Sequence, residues 1–271
     1  MLAINNEVQN AVWENNFTAT PSATSIGTLL TAHATPHSKG AYAALIAATT
    51  YDSYGFWLRA AATFASSAIS DMLIDIAIGA SQENVIVPTF PIGWSAAANL
   101  GANRWWFPIF IPKGSAISAR IQALIADATA RVDIVLNGGT SCMPGPLFAG
   151  CDAYGIDEAN SRGTIHTPGN TGSESEDANI GAVLAKHYGA VIIGVSGSST
   201  STSASGYHWE LTIGGITICE WYSCNYISET VHGPFPPAPF FASLPAGTQL
   251  QVQAEASSTA QDHYISFHCF Y

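Results

Sequence analysis

Apolar and polar residues alternate with a period of two along several segments of the chain. Residues 72–78, 117–122 and 250–254 each carry apolar side chains at every second position. Such alternation is typical of antiparallel strands that bury one face. The tripeptides Pro-Lys-Gly at 112–114 and Pro-Ala-Gly at 245–247 precede two of these segments and indicate tight turns. The pattern predicts an all-β protein.

The strand pattern occurs twice along the chain. The paired segments are IDIAIGA at 74–80 with WELTIGG at 209–215, FIPKGSAISARIQA at 110–123 with SLPAGTQLQVQAEA at 243–256, and RVDIVL at 131–136 with YISFHC at 264–269. They keep their order and a nearly constant offset of 133 to 135 residues. A repeat of this length indicates an internal duplication. The sequence therefore predicts two tandem jelly-roll-like antiparallel β-sandwich domains.

The repeat also places the domain boundaries. We expect an N-terminal arm at 1–20, a first β-sandwich domain at 21–137, a linker at 138–162 and a second β-sandwich domain at 163–271. The arm is polar and rich in Asn, and such arms commonly reach onto a neighbouring subunit. The linker is rich in Gly and Pro. The C-terminal segment HYISFHCFY has a strand pattern up to the last residue, which predicts that it is buried in a sheet.

Charge excludes several classes of partner. Only 10% of residues are charged, with 8 Lys and Arg against 19 Asp and Glu, a formal net charge of −11. A surface that binds phosphate needs clustered Lys and Arg, so nucleic acid is not an expected partner.

No apolar run reaches the roughly 20 residues that span a bilayer, so membrane insertion is not expected. The first residues lack the pattern of a secretory signal, which predicts synthesis in a cytosol.

Five cysteines leave two hypotheses open. Cys142 and Cys151 flank a Gly/Pro-rich stretch and could close the linker with a disulfide. Cys219 and Cys224 could face each other across a bend around residues 221–223. In the alternative, these cysteines are buried thiols that act as small apolar residues.

Histidines and carboxylates do not form a recognisable metal motif. Pro36 prevents the helix that would bring His33 and His37 onto one face, and a hydrogen bond that stabilises the turn is the preferred role for His33 and His166. His263 and His268 are five residues apart on a predicted strand, so they should face opposite sides. No metal ligand and no cofactor is predicted from these residues.

Two acidic groups keep a second interpretation open. These groups are Glu174, Glu176 and Asp177 in one loop, and Asp152, Asp157 and Glu158 in the linker. Carboxylate oxygens suit a hard cation such as calcium, but neither group has the spacing of a regular calcium loop. A solvated acidic loop is the alternative.

Enzyme signatures are missing from the sequence. There is no G-x-S-x-G elbow and no H-E-x-x-H pair. The paired carboxylates of a glycosidase can lie anywhere in a sequence, which keeps a polysaccharide depolymerase as a third hypothesis. We expect a protein that is not an enzyme.

Clustered aromatic residues are the candidate contact sites. They comprise Trp105, Trp106, Phe107, Trp221, Phe235, Phe240 and Phe241. Adjacent residues of a strand point to opposite faces, so one of Trp105 and Trp106 is expected outside the core. An exposed Trp favours a protein interface or a platform for stacking glycans. Plain packing in the core or a loop is the remaining alternative.

Several motifs of the first copy resemble a group of virion proteins of tailed bacteriophages. The motifs are KGAY at 39–42, TTYDSYG at 49–55, DIAIGA at 75–80 and IPKG at 111–114. The group is associated with capsid decoration, head fibres or tails. The resemblance covers most of the first copy, whereas Ser173-Glu174-Ser175 replaces the KGA motif in the second. The family supplies no catalytic residues.

The resemblance implies an architectural role. A decoration, collar, fibre or tail protein would form a trimer or other cyclic homo-oligomer, contact other virion proteins, and reach the virion from the host cytoplasm. The low charge, the polar arm and the duplicated sandwich agree with such a role. The alternative is an adhesion module on the virion that binds a host-surface glycan.

Overall fold

The computed structural model describes most of the chain. The described ranges are 11–15, 27–62, 71–92, 103–139, 146–196, 205–225, 238–258 and 260–271. These ranges are almost entirely strands and turns, with a single 3-10 turn at Glu158–Asn160. No helix in them is long and apolar enough to cross a membrane.

The first copy is an eight-stranded jelly roll with one additional strand. Its strands are β1 (Ala11–Asn15), β2 (Thr28–Thr31), β3 (Ala43–Ile46), β4 (Ser53–Ala62), β5 (Met72–Ile78), β6 (Asn84–Pro91), β7 (Asn103–Phe107), β8 (Ile117–Ala123) and β9 (Thr129–Gly139). The pairs β2–β9, β3–β8, β4–β7 and β5–β6 are nested, as in a rolled-up hairpin. They form sheet I, with β2, β9, β4 and β7, and sheet II, with β3, β8, β5 and β6. This arrangement confirms the predicted jelly roll.

The second copy repeats the same nesting. Its strands are β10 (Cys151–Tyr154), β11 (Ile156–Asp157), β12 (Arg162–His166), β13 (Ala178–Asn179), β14 (Tyr188–Ser196), β15 (Ser205–Ile213), β16 (Ile216–Asn225), β17 (Phe240–Leu244), β18 (Gln251–Ala256) and β19 (His263–Phe270). The pairs β12–β19 and β14–β17 lie in sheet III, and β13–β18 and β15–β16 lie in sheet IV. Because both copies share this topology, the internal duplication is confirmed.

The predicted arm and linker both contain strands. β1 pairs with the end of β9, and β10 pairs with the end of β19, so each copy begins with an equivalent strand. Residues 11–15 therefore belong to the first sandwich, and residues 151–162 belong to the second copy rather than to a linker. These strands are short, and backbone pairing with a sheet places them. Residues 1–10 and 16–20 lie outside the described ranges.

Turns form where the glycine pattern predicts them. Gly114 and Gly247 have φ of +83° and +79°, a region open to glycine. In each turn a backbone N–H bonds the proline carbonyl three residues earlier, Ser115 to Pro112 and Thr248 to Pro245. The equivalent turns hold β8 and β18 at the same place in each copy.

Each pair of sheets encloses its own apolar core. Residues such as Phe56, Ile74 and Ile134 fill the space between sheets I and II. Trp209, Phe267 and Val252 fill the space between sheets III and IV. The C-terminal strand β19 lies between β12 and β14 and is buried along nearly its whole length. This confirms the buried C-terminal strand.

Candidate functional site

The two copies contact each other through the outer face of sheet III and the β6 edge of the first copy. Nε2 of His268 lies 2.9 Å from the carbonyl oxygen of Pro88. A carbonyl oxygen accepts only, so Nε2 carries the proton and donates. The His268 ring also meets the edge of Phe90 at 4.9 Å between centroids. Burial lowers the pKa of His268 to about 4, so this histidine is neutral at physiological pH.

Small residues allow the copies to approach closely. Gly194 lies on β14, and a Cβ there would stand 2.6 Å from Cδ of Pro91. Its neighbours Ala190 and Ile192 are fully buried in the core cluster of the first copy rather than of the second. Only glycine therefore fits at position 194 while Pro91 keeps its place.

Residues 146–150 extend the contact between the copies. Phe110 donates its backbone N–H to the carbonyl of Phe148 at 2.9 Å, and Phe148 donates to Pro108 at 3.0 Å. The Phe148 ring packs at 5.5 Å from that of Phe270. This segment thus joins the two copies by backbone hydrogen bonds as well as by aromatic packing.

An ion-pair network lies on the outer face of sheet II. The buried carboxylate of Asp75 accepts from Nε of Arg120 at 2.8 Å and from the backbone N–H of Thr89 at 2.8 Å. Nζ of Lys39 lies 3.2 Å from Asp75 and 3.5 Å from Glu158 of the second copy. A buried carboxylate needs such partners, because removing it from water is costly. The network therefore ties residues 156–162 to the first copy.

Asp71 stands at the margin of this network. Its carboxylate is 4.0 Å from Arg162, and its Oδ1 is buried without a hydrogen bond. Burial raises the pKa of Asp71 to about 7, the largest effect, while Arg162 lowers it and Asp157 raises it further. Asp71 is the least satisfied charge of the network.

One tryptophan of the pair lies outside the core, as predicted, but neither of the two is exposed. Trp105 is 3% and Trp106 is 7% exposed, and Phe107 is fully buried. Alternation along β7 places Trp105 in the core, where its ring meets Phe90 at 5.1 Å. Trp106 does point to the outer face of sheet I, but it packs there on Trp57 at 5.4 Å and over Gly55.

The candidate residues of the second copy divide between core and surface. Trp221 is 5% exposed and stacks on Trp209 at 5.8 Å, so its prediction as a contact residue is wrong. Phe240 packs partly against the second core. Phe241 is 50% exposed and lies 6.5 Å from Phe148, next to the contact between the copies. Phe235 lies outside the described residues.

The possible disulfide between Cys219 and Cys224, both on β16, is not formed. Cys219 and Cys224 lie on one continuous strand. Five positions along a strand span roughly 16 Å, whereas the Cα atoms of a disulfide lie within about 7 Å. Cys151 is a buried free thiol 3.5 Å from the carbonyl oxygen of Ile86. Cys142, its predicted partner, lies outside the described residues.

The acidic groups are separated by the fold. Asp177 accepts from Thr212 at 2.6 Å and from Gln253 at 2.8 Å. Asp152 instead pairs with Lys186 at 3.0 Å. Protein donors hold Asp177 and Asp152, whereas Glu174 lies beside His208 and Glu210, so neither group comes together as a set.

Histidines near the two sheet ends have different roles. The N–H of Thr35 donates to Nδ1 of His33 at 2.9 Å, which confirms a hydrogen bond that stabilises the turn. His166 lies 2.9 Å from Oγ of Ser175, and burial lowers its pKa to about 4. His263 packs in the second core while His268 faces the first copy, as the strand pattern predicts.

The outer face of sheet IV carries polar and exposed side chains. Tyr222 is 65% exposed, and its ring stacks on that of His208 at 4.8 Å. Glu220 lies 3.2 Å from His208. Glu174, His208 and Glu210 offer ligand atoms within 4.8 Å of one another, a grouping suited in its chemistry to one divalent cation. The sequence did not predict it, because Glu174 is distant from the strand.

Crowding of carboxylates on this face affects the pKa of Glu174. The pKa of Glu174 is raised, first by partial desolvation and then by the charge of Glu210. Glu210 also accepts from Oγ1 of Thr217 at 2.5 Å. The face therefore presents clustered carboxylate oxygens to solvent.

Comparison with known proteins gives only distant likenesses. No family model and no curated protein matches the sequence. Among solved structures, PNGF-II is 9% identical with a TM-score of 0.39, over 96% of this chain and 65% of that one. The CBM22-1–CBM22-2 tandem domain of Paenibacillus barcinonensis Xyn10C is 10% identical with a TM-score of 0.28, over 97% and 94%. Tripeptidyl peptidase 2 is 8% identical with a TM-score of 0.27, over 97% and 23%. At these values none of them assigns a function to this chain.

Proposed function

We propose that the chain is a structural component of a bacteriophage virion that acts through protein–protein contacts in a cyclic homo-oligomer. A decoration, collar, fibre or tail position would suit it. The observation that carries the proposal is the contact between its two jelly rolls, where the face of sheet III receives the β6 edge. The second jelly roll uses a sheet face to bind an edge strand of the first. Because both jelly rolls have such a face and such an edge, the same contact can join further chains.

The composition of this contact supports an architectural role. Phe90, Phe148, Phe270 and Ile192 are buried in it, and one histidine–carbonyl hydrogen bond fixes its register. Obligate subunit interfaces have the same character, an apolar centre packed like a domain core. The chain thus already contains one interface of the kind that an assembly needs.

The placement of the cations supports the same role. Three of the 8 Lys and Arg residues, Lys39, Arg120 and Arg162, lie in the network where the copies meet. Their positive charge is used to hold carboxylates rather than to bind nucleic acid. Contacts with other virion proteins would therefore depend on neutral hydrogen bonds and apolar packing.

Labelling of the particle tests this proposal. An antibody against the full chain should decorate purified particles of the phage that carries the gene at a regular position. Quantitative mass spectrometry should give a fixed copy number per particle that is a multiple of the ring order. Purified particles without the chain, while the lysate contains it, would contradict the proposal.

A glycan-binding function is a second candidate, supported by Tyr222. Its exposed ring is flanked by His208 and carboxylates, and sugar rings stack on aromatic side chains while their hydroxyls bond carboxylates. A glycan array should then show binding that Tyr222→Ala removes. Ile216→Ala is the matched control, because Ile216 is 69% exposed on the same strand. Binding that survives Tyr222→Ala would exclude this stacking site.

A further inference from the structure

The outer face of sheet I occupies the place in the first copy that sheet III occupies in the second. In β4 and β9 the core pair Phe56–Leu136 is followed by the outer pair Trp57–Val135. In β14 and β19 the core pair Val191–Cys269 is followed by the outer pair Ile192–His268. Trp57 therefore stands where Ile192 stands, and Val135 stands where His268 stands. The second copy covers its face with the first copy.

The sheet I face has an apolar centre and a cationic border. Trp57 is half-buried and packs on Trp106, and the guanidinium of the exposed Arg104 lies 5.5 Å from the Trp57 ring centroid. Arg59 pairs with Asp133 at 2.5 Å beside them. An apolar centre with an aromatic residue and Arg has the composition of a protein interface.

The equivalent edge of the second copy is β16. In the first copy Ile74 pairs with Phe90 and Leu73 with Pro91, and in the second Trp209 pairs with Trp221 and His208 with Tyr222. Tyr222 therefore occupies the position in the second copy that Pro91 occupies in the first. Pro91 is the residue that contacts Gly194. Among the described residues β16 pairs only with β15, so it is a sheet edge. The exposed Glu220 gives this edge a negative charge.

We infer that the outer face of sheet I receives the β16 edge of a neighbouring copy of this chain, which repeats between chains the contact that sheet III and β6 make within one chain. The inference rests on the proposed function for its cyclic oligomer. Tyr222 of the neighbouring copy packs on Trp57, and Glu220 of the neighbouring copy faces Arg104. The basic border of one surface thus meets the acidic border of the other.

Such a contact is heterologous, since a face meets an edge. Each chain brings one of each, so the contact repeats until a ring closes. A chain whose sheet I face is disrupted keeps its β16 edge, and a chain whose β16 edge is disrupted keeps its sheet I face. A mixture of the two chains should therefore form one contact and stop at a dimer. This property separates the inference from any isologous dimer.

Sedimentation equilibrium of the full chain tests the contact. The wild type should self-associate at micromolar concentrations, and Arg104→Glu and Tyr222→Ala should each weaken association by at least about 10-fold. Neither side chain is in a core, and unchanged near-ultraviolet circular dichroism should verify the fold of both variants. Val183→Ala, at a 53% exposed side chain away from both surfaces, should associate like the wild type.

Two further measurements identify the pairing. A mixture of Arg104→Glu with Tyr222→Ala should form a one-to-one dimer, because one chain keeps its edge and the other its face. Arg104→Glu combined with Glu220→Lys in one chain should restore self-association. A monomeric wild type, variants that associate like the wild type, or a mixture that stays monomeric would overturn the inference.

The outcome also separates this inference from the proposed function. If the chain is found in purified particles but neither variant changes its association, the contact is overturned and the virion role stands. If both variants weaken association but purified particles do not contain the chain, the contact stands and the virion role is overturned.

Discussion

The outer faces of sheets II and IV occupy equivalent places in the two copies but carry charge in opposite ways. Asp75 pairs across the strands with Arg120 in sheet II, and Glu210 pairs with Gln253 in sheet IV. Asp75 is 3% exposed and is held by Arg120 and Lys39. Glu210 instead lies beside another carboxylate, that of Glu174.

Coverage explains the difference between these faces. Residues 156–162 lie over sheet II, where Gln122 donates to the Glu158 carbonyl and lies 3.2 Å from Oγ of Ser161. Water is excluded there, so the carboxylate requires cations. The sheet IV face remains exposed at Glu220 and Tyr222. Duplicated frameworks therefore diverge in charge according to what covers each face.

The largest effect should come from the residue that links the two copies. Phe90→Ala removes a fully buried ring that contacts both its own core and His268, and should lower the free energy of unfolding by about 3–5 kcal/mol. Chemical denaturation measures this change. In protein diluted below the range of self-association, Tyr222→Ala, at the equivalent edge, should change stability by less than about 0.5 kcal/mol, because its ring is exposed in the single chain. Equal losses would show that the two edges are equally covered.

A bulky residue at the close approach should separate the copies. Gly194→Val places a branched side chain against Pro91 and should lower the free energy of unfolding by roughly 2–3 kcal/mol. Gly206→Ala is the control, because the nearest atom to its added Cβ is at 3.5 Å. Denaturation midpoints of the two variants should differ clearly. Similar midpoints would contradict a tight contact at Gly194.

Substitutions at the equivalent positions 120 and 253 should have unequal effects in the two copies. Arg120→Gln leaves Asp75 buried with Lys39 as its remaining cation, and should destabilise the protein by about 1–3 kcal/mol. Gln253→Arg places a cation near exposed carboxylates and should change stability by at most about 0.5 kcal/mol. Thermal unfolding at low salt measures both. A large effect of Gln253→Arg would mean that the sheet IV face is covered.

Asp71 should give a smaller effect that depends on pH. Because the folded state holds this proton up to about pH 7 and the unfolded state loses it near 3.8, its contribution to stability falls as pH rises between these values. Asp71→Asn should remove that slope. Relative to the wild type, the variant should gain about 1 kcal/mol between pH 6 and pH 7 in urea unfolding. His166 and His268 are present in both proteins and cancel in this difference. A constant difference across this range would show that Asp71 stays ionised.

Strands with a clear period of two were predictable, and so was their duplication. Residues 72–78 and 117–122 lie in β5 and β8, and their repeats lie in β15 and β18. The strands β1 and β10 were missed, because a segment of four or five residues is too short to show a clear pattern and is placed by pairing with a neighbouring strand. Trp57 was missed for a related reason: it lies in an apolar stretch, and only the pairing of β4 with β7 places it beside Trp106.

Alternation of side chains is a local property, so the strands, the two copies and the jelly-roll class can be inferred from the order of residues alone. The covering of an outer face depends instead on segments far apart in the chain, such as Pro88 with His268 or Lys39 with Glu158. The burial of Trp105, Trp106 and Trp221, and the contrast between sheets II and IV, arise at that level. Long-range packing decides which of two equivalent sheet faces is covered. The residues that bury such a face come from distant parts of the chain, so a local pattern of side chains does not reveal them.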